Sequence, residues 1–95
     1  MERGHSMGSG YFYVYVLRNE RNNWWYVGFT TNLKQRIQAH KIGDVKSTRN
    51  RKPLKLIFCE AYLSKIDAKR RERYLKTTKG KTTLRTMLKD YLDSG

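Results

Sequence analysis

Two segments rich in aromatic and β-branched residues lie close together near the start of the chain, at residues 11–17 and 24–30. This composition is typical of β-strands that other parts of the protein cover on both faces. The polar stretch between them, residues 19–23, has the length of a hairpin loop. The sequence therefore predicts that the second segment returns beside the first as a paired strand.

Side chains alternate along a strand, so residues at every second position share a face. Tyr13 and Tyr15 therefore lie on one face of the first strand, and Trp24, Tyr26 and Gly28 share a face of the second. A glycine inside a strand lowers its stability. We therefore expect Gly28 to mark a place where a ligand or a neighbouring group comes close to the backbone.

The residues that follow the second strand predict a helix. Thr31 or Asn32 can cap its start, and Gly43 is placed to end it. Four residues at helical spacing share one face of this helix: Leu33, Arg36, Ile37 and His40. This mixture of apolar anchors with cationic or titratable groups is unusual for a helix face that only meets solvent.

A third strand is predicted at residues 54–62, which are apolar on both faces. Cys59 lies within it and is expected to pack as a small hydrophobic residue. After this strand, Ser64 and Asp67 match the spacing of a capping box, so a second helix is expected to begin there.

The inner stripe of the second helix contains three residues: Ala68, Glu72 and Leu75. Gly80 is expected to interrupt the helical pattern, and a last amphipathic helix is expected from about Thr83. The order is thus strand, strand, helix, strand, helix, helix. It predicts an α/β fold, a small sandwich with a three-stranded, mainly antiparallel sheet flanked by helices.

A chain of 95 residues is long enough for one domain with one hydrophobic core, which we assign to residues 11–95. Residues 1–10 contain little to bury and predict a disordered leader or a cloning remnant. No apolar run approaches the ~18 residues of a spanning helix and no signal sequence follows the start, so we expect a soluble, cytoplasmic protein. The single cysteine excludes an intrachain disulfide and a multi-cysteine zinc site.

The charge of the chain indicates a polyanionic partner. Lysine and arginine number 21 against 8 acidic residues, which gives a formal net charge of +13. We expect the basic loop, residues 41–52, to contact a nucleic-acid backbone without reading its sequence, and the alternative is a loop that is only solvated. The candidate binding residues are Lys41, Lys46, Thr48, Arg49, Arg51 and Lys52.

A series of residues between positions 11 and 79 resembles the motifs of the GIY-YIG endonuclease superfamily. The matching residues, in order, are Tyr13-Val14-Tyr15, Tyr26-Val27-Gly28, Arg36, His40 and Glu72. The chain is similar to the small stand-alone branch of that family and to the N-terminal nuclease domain of the bacterial excision-repair endonuclease. The resemblance implies a metal-dependent endonuclease that cuts DNA, structure-selectively or with weak specificity, and a role in DNA repair.

The resemblance also implies a role for each site residue. Tyr15 is the general base for the attacking water, and Tyr26 positions that water or the scissile phosphate. Arg36 binds the phosphate, and His40 relays a proton or hydrogen-bonds the phosphate. Glu72 is the one protein ligand of a divalent ion, Mg²⁺ or Mn²⁺. The sequence leaves open RNA as a substrate and assembly into a homodimer, and it offers no membrane-binding segment.

The chain departs from the family pattern at three places. Tyr13-Val14 replaces Gly-Ile, Phe29 stands where the repair nuclease has a lysine, and the last helix lacks an asparagine found in several active members. These departures motivate a second hypothesis, a catalytically weak or inactive module that binds nucleic acid.

Each site residue also has a simpler interpretation. The two tyrosines match an ordinary cross-strand pair, the arginine a solvated helix residue, and the histidine a favourable charge at a helix C-terminus. The glutamate is placed to pair with Lys76 one helical turn later. Because all of these residues occur together and in the family's order, an active site is favoured over four separate coincidences.

Overall fold

The computed structural model describes residues 10–94, so the predicted leader lies outside the described residues except for Gly10. Within this part of the chain the elements are β1 (Phe12–Asn19), β2 (Trp24–Thr30), α1 (Leu33–Lys41), β3 (Lys55–Tyr62), α2 (Lys65–Leu75), α3 (Thr78–Met87) and α4 (Lys89–Ser94). None of these helices combines the length and the apolar character that a bilayer crossing requires.

The strands form one three-stranded sheet in the order β2-β1-β3, and β1 pairs antiparallel with both neighbours. In this register Tyr15 lies opposite Gly28 of β2 and opposite Cys59 of β3. The predicted fold class is therefore confirmed: a small α/β fold with an antiparallel sheet flanked by helices, to which the structure adds a short fourth helix.

The hydrophobic core lies on the sheet face that contains Val14 and Val16. The other buried members of this core cluster are Val27, Ala68, Leu75 and Leu84, so α2 and α3 cover this face. Tyr15 and Leu17, which alternate with the two valines, are also buried. Both faces of the central strand are thus covered, as its composition predicts. The hydrophobic core occupies only the valine face, so the residues around Tyr15 on the other face can form a site.

Local capping signals define the helix starts. The Asn32 side chain accepts a hydrogen bond from the Gln35 amide and begins α1, while Ser64 accepts one from the Asp67 amide and begins α2. Gly43 has a φ of +80°, just after the C-cap of α1. The predicted bounds of the first helix are therefore confirmed, and they place His40 in its last turn.

The prediction that Gly80 interrupts a helix is wrong. Thr77 caps α3 by accepting a hydrogen bond from the Gly80 amide, so Gly80 lies in the first turn of α3, and the helix begins before Thr83. A Cβ atom at this position would overlap the backbone of Tyr74 and Leu75. The glycine therefore allows α3 to begin close against the end of α2.

The prediction that Cys59 packs inside is also wrong, because the thiol is exposed. β3 is an edge strand of the sheet, and its side chains on the face of Cys59 are only partly covered. An apolar run in the sequence does not distinguish an edge strand from a central one.

Candidate active site

The position of Tyr15 depends on Gly28 of the adjacent strand. Tyr15 is fully buried, and its ring lies where the Cβ of any other residue at position 28 would be. Glycine therefore lets the phenol extend across β2, and the sequence-based expectation of a close neighbour at Gly28 is confirmed.

The Tyr15 hydroxyl begins a buried hydrogen-bonded series. It lies 2.8 Å from Nε2 of His40, and Nδ1 of His40 lies 2.7 Å from Oγ1 of Thr48. His40 and Thr48 are 1% and 0% exposed, so no water competes for these contacts in the free protein. The basic loop thus holds the imidazole from behind while the phenol contacts its other nitrogen.

Tyr26 completes an aromatic cluster at this place. Its ring centroid lies 6.3 Å from that of Tyr15 and 5.3 Å from that of His40, and the His40 ring meets each tyrosine at a steep angle. Tyr26 is only half-buried, so it lies between the buried phenol and solvent-accessible surface.

Burial sets the protonation states of this cluster. It raises the pKa of Tyr15 to about 12, although the neighbouring Arg36 guanidinium opposes the shift. Burial likewise lowers the pKa of His40 to about 4, and the charge of Arg36 adds to this effect. At neutral pH the free protein therefore holds a neutral phenol beside a neutral imidazole.

Arg36 is the cation of this site. Among the described residues, its Nε is the one buried side-chain nitrogen or oxygen atom that has no hydrogen-bond partner. The contact with Tyr15 raises the pKa of Arg36, so the guanidinium stays charged. A buried donor without a partner is costly, and an anion placed beside Tyr15 would satisfy it.

Glu72 points inward from α2 and is 8% exposed. Its two oxygens each lie 3.0 Å from an ammonium group, one from Lys69 and one from Lys76. Burial opposes ionisation, but the bonds from these lysines outweigh it and lower the pKa of the Glu72 carboxyl. The predicted pairing with Lys76 is present, and Glu72 also interacts electrostatically with Tyr15.

The site fits a metal that needs only one protein carboxylate. No group of three or more His, Cys, Asp or Glu side chains is arranged to hold an ion within residues 10–94. The pKa of the Glu72 carboxyl is lowered, so Glu72 is ionised, and both lysine side chains that pair with it are about half exposed to solvent. Mg²⁺ keeps much of its hydration and takes few protein ligands, which matches this single carboxylate.

The Phe29 ring, at the position where the repair nuclease has a lysine, lies beside a cation of α2. Nζ of Lys69 lies 4.5 Å from the centre of the Phe29 ring while it pairs with Glu72. The ammonium group of Lys69 thus contacts both the Phe29 ring and the Glu72 carboxylate.

The basic loop is anchored rather than loose. Thr48 bonds to His40, Val45 is buried, and the Asn19 side chain donates to the Arg51 carbonyl oxygen at 2.6 Å. The other five candidate binding residues are exposed: Lys41, Lys46, Arg49, Arg51 and Lys52. The burial of Thr48 corrects its predicted role, because its hydroxyl holds His40 and has no surface to offer a phosphate.

Three contacts in this region were not predicted from the sequence. Nothing in the sequence links Thr48 to His40, since the contact depends on how the loop folds back. Lys69 could have been found, because it lies three residues before Glu72 on the same helix. The contact of Arg51 with Trp24, at 4.6 Å, joins the loop to β2 and has no sequence signal.

The fold and the cluster of Tyr15, Tyr26, Arg36 and His40, with Glu72 in electrostatic interaction with Tyr15, define a GIY-YIG nuclease-type domain. The family model described as the GIY-YIG catalytic domain matches residues 11–85, and the chain belongs to this family. The resemblance inferred from the motifs is therefore confirmed.

Within that family the chain is grouped with the small UPF0213 proteins. It is 41% identical over 66 residues to UPF0213 protein SH2523 of Staphylococcus haemolyticus, which covers 68% of this chain and 79% of that protein. It is 44% identical over 73 residues to a UPF0213 protein of Limosilactobacillus reuteri, with 74% and 75% covered. The solution NMR structure of UPF0213 protein BH0048 from Bacillus halodurans superposes with a TM-score of 0.53 at 35% identity, covering 81% of this chain and 84% of that one.

Proposed function

We propose that this protein hydrolyses phosphodiester bonds in DNA, with Tyr15 as the group that takes a proton from the attacking water. The observation that carries the proposal is the buried Tyr15–His40–Thr48 series beside a guanidinium nitrogen without a partner. A structural cross-strand pair of tyrosines has no need of an arginine that leaves a buried Nε donor without a partner.

The His40 tautomer with its proton on Nδ1 gives the proton a path. In this tautomer Nδ1 donates to Thr48, and Nε2 accepts from the Tyr15 hydroxyl. As water attacks phosphorus, its proton passes to the Tyr15 oxygen while the phenol proton passes to Nε2. Such positioned proton transfer contributes about 10²- to 10⁴-fold to a rate.

The free protein does not store a phenolate. Burial keeps Tyr15 neutral with a pKa of about 12, so positive charge near the phenol is needed to favour the phenolate character with which it accepts a proton from water. Arg36 supplies one part of this charge when its guanidinium binds the scissile phosphate through two donors. A Mg²⁺ or Mn²⁺ ion on Glu72 would supply the rest and stabilise the leaving 3′ oxygen, so that the product carries a 5′-phosphate.

Access to Tyr15 depends on movement of its neighbours, because the phenol is 0% exposed. Arg36 and Tyr26 are the half-buried groups that interact with it. We infer that a phosphate draws the Arg36 side chain toward itself and thereby admits the water. The proposed function thus couples substrate binding to exposure of the base.

The substrate preference we propose is structural rather than sequence-based. The exposed lysines and arginines of the basic loop contact phosphates without reading bases. Branched, damaged or nonspecific DNA fits such contacts, a role in DNA repair is consistent with them, and RNA and a homodimer remain outcomes for experiment.

The test is an incubation of purified protein with supercoiled, flapped and junction DNA, with and without Mg²⁺. We expect nicking that requires the metal and is lost in Glu72→Gln, which keeps the shape of the side chain but removes its charge. Equal nicking by Glu72→Gln would contradict the assignment of Glu72 as the metal ligand, and no nicking of any substrate by the folded wild type would reject the proposal.

The second candidate function is a nucleic-acid-binding module without cleavage. It is favoured by the two lysines that neutralise Glu72 and by the phenylalanine at position 29. Salt-sensitive binding that is indifferent to metal, combined with no cleavage, would support this function.

A further inference from the structure

The two adjacent tryptophans of β2 have different environments. Trp25 packs against the hydrophobic core, and its indole N–H donates to the Asn23 side chain at 2.8 Å. Trp24 is half-buried and is not part of that core cluster. Its described contacts are an aromatic neighbour, Tyr26, and a cation, Arg51. Core packing therefore accounts for Trp25 but not for Trp24, whose ring contacts the basic loop and the site.

Trp24 begins a column of flat groups that leads to the candidate active site. Its ring is stacked with that of Tyr26, with centroids 6.2 Å apart and planes 26° apart. Tyr26 in turn contacts Tyr15 and His40. Because Trp24, Tyr26 and Gly28 alternate along β2, this column and the phenol that crosses Gly28 lie on one face of the sheet.

The basic loop adds a guanidinium to the column. The Arg51 Cζ atom lies 4.6 Å from the centre of the Trp24 ring. The side chain of Asn19, which is 4% exposed, holds the Arg51 carbonyl oxygen, so the backbone beneath the guanidinium is tied to β1. The loop that supports His40 through Thr48 thus also places Arg51 on the indole.

We propose that Trp24 and Arg51 form a stacking platform for an unpaired base of the nucleic acid whose backbone enters the site. The proposal rests on the proposed function and adds a substrate class to it: strands with unpaired bases, as in single strands, flaps and junction arms. Aromatic rings and guanidinium planes stack bases without reading their identity. In a fully paired duplex the bases are stacked inside the helix, so none is available to stack on Trp24 and Arg51.

The test measures binding without cleavage, in EDTA, by fluorescence anisotropy. The probes are a labelled single-stranded DNA, a strand of equal length made of abasic units, and a duplex of the same sequence. Trp24→Leu is expected to weaken binding of the single strand by about 5- to 100-fold while leaving the abasic strand and the duplex unaffected. Trp24→Tyr, which keeps an aromatic face, should restore most of the affinity, and Tyr11→Leu is the control for an exposed aromatic outside the column.

Equal loss of affinity on all three probes, or no loss on the single strand, would overturn the platform. A single-stranded RNA of the same sequence should lose affinity by the same factor, because stacking uses the base. A loss of affinity for DNA alone or for RNA alone would also contradict the proposal.

If Trp24→Leu does not fold, Trp25→Phe leaves Trp24 as the one tryptophan of the chain. Its fluorescence should then be quenched by the single strand and not by the abasic strand; quenching by both would reject stacking. Since no cleavage is measured, a negative result here leaves the nuclease proposal standing.

Discussion

The Tyr15 ring crosses the backbone of Gly28, its antiparallel partner on the next strand, at a distance that admits no Cβ atom. The glycine of the second family tripeptide and the tyrosine of the first therefore act as one unit. The glycine determines where the hydroxyl lies, and with it the contact to His40 at 2.8 Å.

Gly28→Ala is expected to displace Tyr15 and to lower both stability and activity. Overpacking of this kind costs about 1–3 kcal/mol of the free energy of unfolding. Gly80→Ala is the matched control, because it crowds backbone at the junction of α2 and α3 and lies outside the site. The free energy of unfolding, measured with denaturant, and the nicking rate should both fall for Gly28→Ala. Gly80→Ala should keep the wild-type nicking rate per folded molecule. A wild-type rate in folded Gly28→Ala would contradict this role of the glycine.

Because the pKa of the buried His40 imidazole is lowered, we expect the protein to lose stability in mild acid. Its pKa in the folded protein is about 4, against 6.5 for an ordinary histidine, so the unfolded chain binds the proton more readily. Stability is therefore full above pH 6.5 and declines as the pH falls toward 4, by ~3 kcal/mol at most. The groups that face the imidazole are Tyr15, Tyr26, Arg36 and Thr48, and none of them is a carboxyl group or a second imidazole.

The measurement is urea unfolding at a series of pH values for wild type and His40→Gln. The variant should lose the slope between pH 6.5 and 4. An unchanged slope would show that other groups carry the effect. Glu72, whose carboxyl pKa is lowered from 4.5, begins to contribute only as the pH falls through 4.5, at the lower end of this range.

Two lysines pair with Glu72, and we expect their charge to raise the Mg²⁺ concentration that nicking requires. Replacing Lys69 and Lys76 by methionine removes two cations that compete with a metal for the carboxylate. At saturating DNA, the Mg²⁺ concentration for half-maximal nicking should fall by about 2- to 5-fold, in keeping with partly exposed ion pairs. Lys65→Met, an exposed lysine at the start of the same helix, should change nothing. A higher Mg²⁺ requirement in the double variant would instead place these lysines on the substrate.

The basic loop predicts the salt dependence of binding. Each exposed cation that contacts a phosphate contributes about 0.9 to the slope of log affinity against log salt. Lys46→Gln and Arg49→Gln should each lower this slope, equally for different DNA sequences. A loop that is only solvated would leave the slope unchanged in both variants.

Much of this architecture could be predicted from the sequence because its signals are local. Strand alternation placed Tyr13 with Tyr15 on one face of β1 and Tyr26 with Gly28 on one face of β2, caps placed α1, and helical spacing placed Glu72 inside. The position of Thr48 could not be predicted, since it depends on a loop that folds back onto His40. The exposure of Cys59 required the strand order, which composition does not contain.

The most direct measurement is the single-turnover cleavage rate of Tyr15→Phe beside that of Tyr62→Phe. Both variants lose a phenol whose pKa is raised to about 12 by burial, but Tyr62 donates its hydrogen bond to Glu60, outside the site. We predict that Tyr15→Phe binds DNA normally and cuts it about 10²- to 10⁴-fold more slowly, while Tyr62→Phe cuts at the wild-type rate. Cleavage by Tyr15→Phe at the wild-type rate would contradict the assignment of Tyr15 as the base.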